Sequence, residues 1–276
     1  MKSVKADLHL HTNYSDGNLS PIQLIDLSKK YGISVISITD HDNVNALEEA
    51  IIYGNQNGIQ VIPGVEISAD LDKQEVHILG YFIDYKDKRL LEFLSASRNL
   101  RIRRNEKIVR KLNEMGSTIS FNDIKVKAGE MTSIGRPHIA MELNEEGFVK
   151  SYYDAFIKYI GDGKPAFVKK PNPKSSEVIR IISEMGGLSF IAHPGKLVRD
   201  ELLISLIQEG LDGIEIIHPS HSKSDIEYFS KMAAEHFLLT SGGSDYHGGV
   251  KNDGRNFGNY CISMDEIINM KRRLFI

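Results

Sequence analysis

A chain of 276 residues, 41% of them hydrophobic, can bury a full core, which allows one large α/β barrel or two smaller domains. The charged fraction is 26% and the formal net charge −3, which excludes the global basic field of a general nucleic-acid binder but leaves room for a local cationic pocket. The single cysteine, Cys261, has no partner for an internal disulfide, and no apolar run reaches the roughly 18 residues of a membrane span. A cytoplasmic protein without signal peptide or membrane association is expected.

Taken in chain order, the sequence alternates short apolar runs with amphipathic stretches. Segment 4–10 reads as a buried strand running into Asp7-Leu8-His9-Leu10-His11. The two-residue period of a strand puts Asp7, His9 and His11 on one face, and Asp16-Gly17 follows in a loop that can fold a carboxylate back over the strand end. A helix over 21–31 leads to a strand over 35–39, which finishes in Thr39-Asp40-His41-Asp42. After a helix over 46–57, the strand at 61–67 carries Glu66 and the strand at 76–82 carries His77.

The rhythm breaks between about 91 and 165, where the sequence turns helical, charged and strand-poor. Arg98, Arg101, Arg103 and Arg104 lie in this stretch and read mainly as a solvated helix face. Residues 169–174, with two prolines, mark the return to the alternating pattern. A helix over 175–185 precedes the strand at 188–192, which ends in Ala192-His193-Pro194-Gly195. Helices over 201–209 and 223–236 alternate with strands over 213–217 and 237–241, and the last strand is followed by Ser244-Asp245-Tyr246-His247. Repetition of strand, helix, strand favours a parallel sheet.

Six of these strands present a histidine or carboxylate at or near their C-terminal ends, the face on which parallel α/β folds build active sites. One such residue means little; the coincidence across six points to a metal cluster. Imidazole and carboxylate donors without thiolate suit Mn, Fe or Zn better than Mg, and the ligands exceed what one ion needs.

These motifs together resemble the PHP (polymerase and histidinol phosphatase) family: DLHLHTNYSDG at 7–17, ITDHD at 38–42, GVEIS at 64–68, HILGY at 77–81, AHPG at 192–195 and SDYHG at 244–248. A segment TSIGRPHIA at 132–140 is similar to a branch of that family with a helical insert, which includes phosphoesterases of nucleoside 3',5'-bisphosphates and of oligonucleotide ends. The resemblance implies an α/β fold, a distorted (β/α)7 TIM-like barrel formed by residues 1–92 and 166–276, with a helical insertion over 93–165. It also implies two or three divalent ions: one on His9, His11, Glu66 and Asp245, a second on Glu66, His77 and His193, and a third on Asp16, His41 and His247. All nine positions are kept. A hydroxide between the first two ions would attack phosphorus.

Around this set, Asp7 and Asp40 are expected to orient metal-bound imidazoles by accepting their N–H groups. Ser133, Gly135, Arg136 and His138 form a donor-rich loop suited to a phosphate group. Lys170 and His221 are further candidates for binding substrate, with Lys169 and His218 weaker ones; His236 reads as structural or exposed. The expected partner is a small phosphorylated substrate, a nucleotide or short oligonucleotide, with no obligatory protein partner. Rival readings are a histidinol-phosphate phosphatase, an amidohydrolase acting on a C–N bond, and a non-catalytic metal-binding module.

Overall fold

A computed structural model describes residues 4–195 and 200–276. Seven strands form one sheet in sequence order: β1 (Lys5–Leu10), β2 (Ile33–Ile38), β3 (Gln60–Leu71), β4 (Gln74–Tyr81), β5 (Leu188–Ile191), β6 (Gly213–Ile217) and β7 (Leu239–Gly242). Pairs β1–β2, β2–β3, β5–β6 and β6–β7 are parallel, and helices α1 (Pro21–Tyr31), α2 (Leu47–Asn57), α8 (Asp200–Gln208) and α9 (Lys223–Glu235) make the crossovers.

The sheet is not uniformly parallel: β4 runs antiparallel to both its neighbours. Leu71 pairs with Gln74, so only Asp72 and Lys73 connect β3 to β4, and both have positive φ, 49° and 67°. Two residues in that conformation make a tight hairpin and leave no length for a crossover. His77 consequently stands near the start of its strand, not the end. The reversed direction nevertheless brings that start to the edge where β1, β2 and β5 end.

Alternation decides which side chains face the helices. Val65 and Ile67 flank Glu66, and Ile214 and Ile216 flank Glu215; these four aliphatic residues join the main core with Leu24, Ile25, Leu47 and Ile182. The polar residues between them face the opposite side. A second cluster joins Leu8, Val35, Tyr81 and Phe190 with Ile267 and Met270 of α10 (Met264–Leu274).

Between β4 and β5 lie α3 (Lys88–Glu114), α4 (Phe121–Ala128), α5 (Arg136–Glu145), the single turn α6 (Tyr152–Ala155) running into a π-helical turn over Phe156–Ile160, and α7 (Ser175–Glu184). Leu90 and Leu94 at the start of α3 belong to the main core, whereas Ile108, Val109 and Leu112 further along it pack with Ile124, Ile139 and Leu143 in a separate apolar cluster. The chain returns through 169–174, where Asp70 N–H donates to the Pro173 carbonyl at 2.7 Å.

Candidate metal centre

Of the nine side chains expected to ligate metal, five, His9, His11, His41, His77 and His193, lie against a sixth, Glu66. Its Oε1 lies 2.8 Å from His77 Nδ1 and 3.1 Å from His193 Nε2. Its Oε2 lies 2.9 Å from His41 Nδ1, 3.3 Å from His11 Nε2 and 3.4 Å from His9 Nε2. Asp245 Oδ1 faces the same two nitrogens of β1, at 3.4 Å from His9 Nε2 and 3.2 Å from His11 Nε2. On the other flank, Asp16 Oδ1 is 3.2 Å from His247 Nε2, 3.7 Å from His41 Nε2 and 3.9 Å from His11 Nδ1. His41 therefore stands between the two flanks.

Whether this set fits cations is decided by atoms left without partners. His9 Nε2, His11 Nε2, His41 Nδ1, Asp16 Oδ1 and Glu66 Oε2 are buried and make no hydrogen bond. Five such atoms clustered together would each carry an uncompensated desolvation cost of about 1–3 kcal/mol. Divalent ions remove that cost, and an all-nitrogen, all-oxygen donor set suits them. The backbone is strained at the same place: Asp42, His193 and Asp245 have φ of 50°, 28° and 49°, a region that non-glycine residues enter rarely and mostly at functional sites.

The outer contacts differ from expectation. Asp7 accepts the backbone N–H of His9 and of Ser244, and Asp40 accepts from Thr12 N–H, Thr12 Oγ1 and Ser15 Oγ. Neither carboxylate takes an imidazole proton; they hold the loops that carry the ligands. Burial pushes Asp7 up to about 7. The carboxylate that does orient an imidazole is Glu215, with Oε1 2.8 Å from His9 Nδ1 and Oε2 accepting His193 N–H at 2.6 Å. A lone acid in the apolar strand Ile214-Glu215-Ile216 was the signal for it.

The two histidines after β6 have the reverse of the expected arrangement. His221 uses both ring nitrogens on backbone, Nδ1 on Ile216 O and Nε2 on Gly195 N–H, and so ties two loops together. His218 instead faces the cluster: its buried Nε2 has no hydrogen bond and lies 3.5 Å from Asp245 Oδ2.

Beside the cluster opens a cavity of about 320 Å³, lined by Asp16, His41 and His77 on one side and by Arg101, Arg104, Ser133, Arg136, Tyr152, Phe156 and Lys251 elsewhere. Ser133 is buried, its Oγ without a hydrogen bond. Arg136 pairs with Asp162 Oδ1 at 2.6 Å and lies 5.6 Å from the Phe167 ring centre. His138 Nδ1 accepts Gly135 N–H at 3.1 Å, which makes it a cap of α5. Lys169 points away, donating to the Lys73 carbonyl.

The arginines of α3 are not simply solvated: Arg101 and Arg104 are buried, Arg103 is exposed, and Arg98 donates to the Asp42 carbonyl. Arg98, Arg101 and Arg104 recur every three residues and share one helix face. Arg101 and Lys170 both bind Asp42 Oδ2, which outweighs burial and lowers Asp42 to about 2. Arg104 has no close ion pair of this kind: its Nε donates to Asn105 Oδ1 at 3.3 Å, and the nearby carboxylates Glu75, which lines the same cavity, and Asp42 offset its burial only in part. Burial, then neighbouring Arg101 and Arg136, lowers it to about 9; burial and Arg101 lower Lys170 to about 8.

An α/β sheet with a histidine and carboxylate cluster at its edge defines a metal-dependent hydrolase, and comparison with known proteins places it more narrowly. The PHP domain family model matches residues 7–187, and the chain belongs to that family. It is 35% identical over 250 residues to a 5'-3' exoribonuclease of Haemophilus influenzae, covering 88% of this chain and 90% of that protein. It is 32% identical over 246 residues to the 3',5'-nucleoside bisphosphate phosphatase of Chromobacterium violaceum, covering 87% and 86%. A solved structure from Bifidobacterium adolescentis, assigned by inference as a metal-dependent phosphoesterase, superposes with a TM-score of 0.91 at 32% identity, covering 97% of this chain and 96% of that one. This protein is a metal-dependent phosphoesterase. No helix among the described residues is long and apolar enough to cross a membrane.

Proposed function

We propose that the protein hydrolyses phosphate esters of nucleotides, either a nucleoside 3',5'-bisphosphate or the end of a short oligonucleotide. The observation that carries this is the cavity: one wall is the metal-ligating cluster, and the others bring Arg104 and Arg136 together with Tyr152 and Phe156. A substrate with one phosphate at the cluster, a second at the arginines and an aromatic base uses all three walls. The names of the two relatives above point the same way. Histidinol phosphate has a single phosphate and leaves the arginines without a role.

His9, His11, Glu66 and Asp245 would hold one cation, Glu66, His77 and His193 a second, and Asp16, His41 and His247 a third, with Mn, Fe or Zn suiting the donors. Such cations supply a water of lowered pKa and neutralise phosphoryl charge. The residues do the rest. Glu66 presents Oε1 to His77 and His193 and Oε2 to His9, His11 and His41, Glu215 fixes the ring of His9, and the cationic wall holds the phosphate that does not react.

The sheet reads as a distorted (β/α)7 barrel, supported by contact between the end of its first strand and the segment that follows its last: His11 N–H donates to the Tyr246 carbonyl at 3.0 Å, and Leu10 bridges Tyr246. Residues 93–165 read as an insertion that shapes substrate binding, supported by their own apolar cluster and by the cavity residues they supply. The lone Cys261, without an internal disulfide partner, suits a cytoplasmic setting.

The test, with manganese-loaded protein, is phosphate release from a nucleoside 3',5'-bisphosphate, mononucleotide release from an oligonucleotide, and phosphate release from histidinol phosphate. Preference for the first two supports the proposal. Preference for histidinol phosphate overturns it.

A further inference from the structure

A basic side chain reaches the third group of ligands. Lys251 Nζ lies 3.0 Å from Asp16 Oδ2 and 2.7 Å from His247 Nε2. Gly248 and Gly249, with φ of 78° and 90°, turn the chain sharply after His247 and bring Lys251 back toward it. The Lys251 carbonyl accepts Tyr153 O–H at 2.6 Å, anchoring this loop to the helical segment across the cavity.

The tautomer of His247 makes this contact consequential. Its Nδ1 faces the Asp245 carbonyl oxygen at 2.7 Å, and a carbonyl can only accept, so Nδ1 carries the proton. Nε2 then offers one lone pair. That lone pair accepts a proton of the Lys251 ammonium or ligates a cation, and cannot do both. Asp16 is not bound by the same choice: Lys251 takes its Oδ2, while Oδ1, which faces His247 and His41, is buried without a hydrogen bond and stays open to a cation.

We infer that Lys251 is a displaceable internal cation that competes with a metal ion for His247 Nε2, so that the third position binds metal weakly and exchangeably while the other two hold theirs. The inference rests on the reading of Asp16, His41 and His247 as a cation site. Displaced, the ammonium stays on the cavity wall, where the substrate's phosphate offers it a new partner.

The experiment is metal analysis by mass spectrometry after dialysis against graded free Mn²⁺, on the wild type, Lys251→Met and Tyr153→Phe. Lys251→Met keeps the length of the side chain without its charge. Tyr153→Phe loosens the loop without removing the ammonium and serves if the first variant does not fold. The wild type is expected to keep two ions at low Mn²⁺ and to gain the third only at high concentration. Lys251→Met should gain it at about tenfold lower concentration or less, given what a charge-assisted hydrogen bond contributes, and Tyr153→Phe should shift in the same direction. A third ion bound equally by all three proteins overturns the inference but leaves the site. No third ion in any of them at any concentration overturns the site as well.

Discussion

Glu215 Oε1 lies 2.8 Å from His9 Nδ1, with both side chains fully buried behind the histidine and carboxylate cluster. The contact leaves His9 Nε2 facing Glu66 and Asp245. Glu215→Gln can still accept a hydrogen bond but loses the charge, and Glu215→Ala frees the ring. We expect both to weaken metal binding, by about 10–100-fold for the alanine and less for the glutamine. Titration with Mn²⁺ against a chelating dye measures this, and unchanged affinity in Glu215→Ala would remove the orienting role.

Arg104 is a buried cation that makes no close ion pair with a carboxylate among the described residues, and Arg136 and Glu75 share its cavity. If they hold a phosphate that does not react, Arg104→Ala and Arg136→Ala should raise KM for a nucleoside bisphosphate by roughly 10–100-fold, while an aryl monophosphate is turned over almost as before. Steady-state kinetics on the two substrates separates the outcomes. Equal losses on both would place the arginines at the reacting phosphate.

Asp42 neutralises Arg101 and Lys170, and its positive φ is one that asparagine tolerates. Asp42→Asn therefore removes the charge without forcing the backbone. Two buried cations left unpaired should cost about 3–5 kcal/mol of stability, read from urea unfolding of the metal-free protein. A loss under about 1 kcal/mol would mean that water already screens this cluster.

Lys170, which lines a pocket adjoining the cavity together with Arg104 and Arg136, is lowered to about 8 by burial and by Arg101, so it is cationic below that pH and neutral above it. A depressed lysine loses its charge as pH rises, so KM for the bisphosphate should climb between about pH 8 and 9.5. Lys170→Arg keeps its charge throughout and should flatten that climb. A wild-type KM that is level across this range would contradict a role for Lys170 in binding the anion.

The cluster was legible because its residues sit in short contiguous motifs at strand ends, where Asp7-Leu8-His9-Leu10-His11 alone fixes a face. Direction was harder to read. His77 is expected as a ligand from its motif and lies 2.8 Å from Glu66, yet the antiparallel course of β4 depends on the two-residue turn Asp72-Lys73, which lacks the glycine that usually marks such a turn. Glu215, Lys251 and the buried arginines escaped for a shared reason: a lone charged residue in the sequence is silent about its partners, and Asp42, the counter-ion of Arg101, lies 59 residues away. His221 and His218 are three apart in one loop, and only the path of that loop decides which faces the metals.

Glu66 reaches His77 and His193 with one oxygen and His9, His11 and His41 with the other, so two of the expected ions depend on it. Metal content of Glu66→Gln, measured beside the wild type after dialysis at low free Mn²⁺, tests this most directly. The account predicts that the variant loses both ions that Glu66 shares. A variant that keeps the full wild-type complement would contradict it.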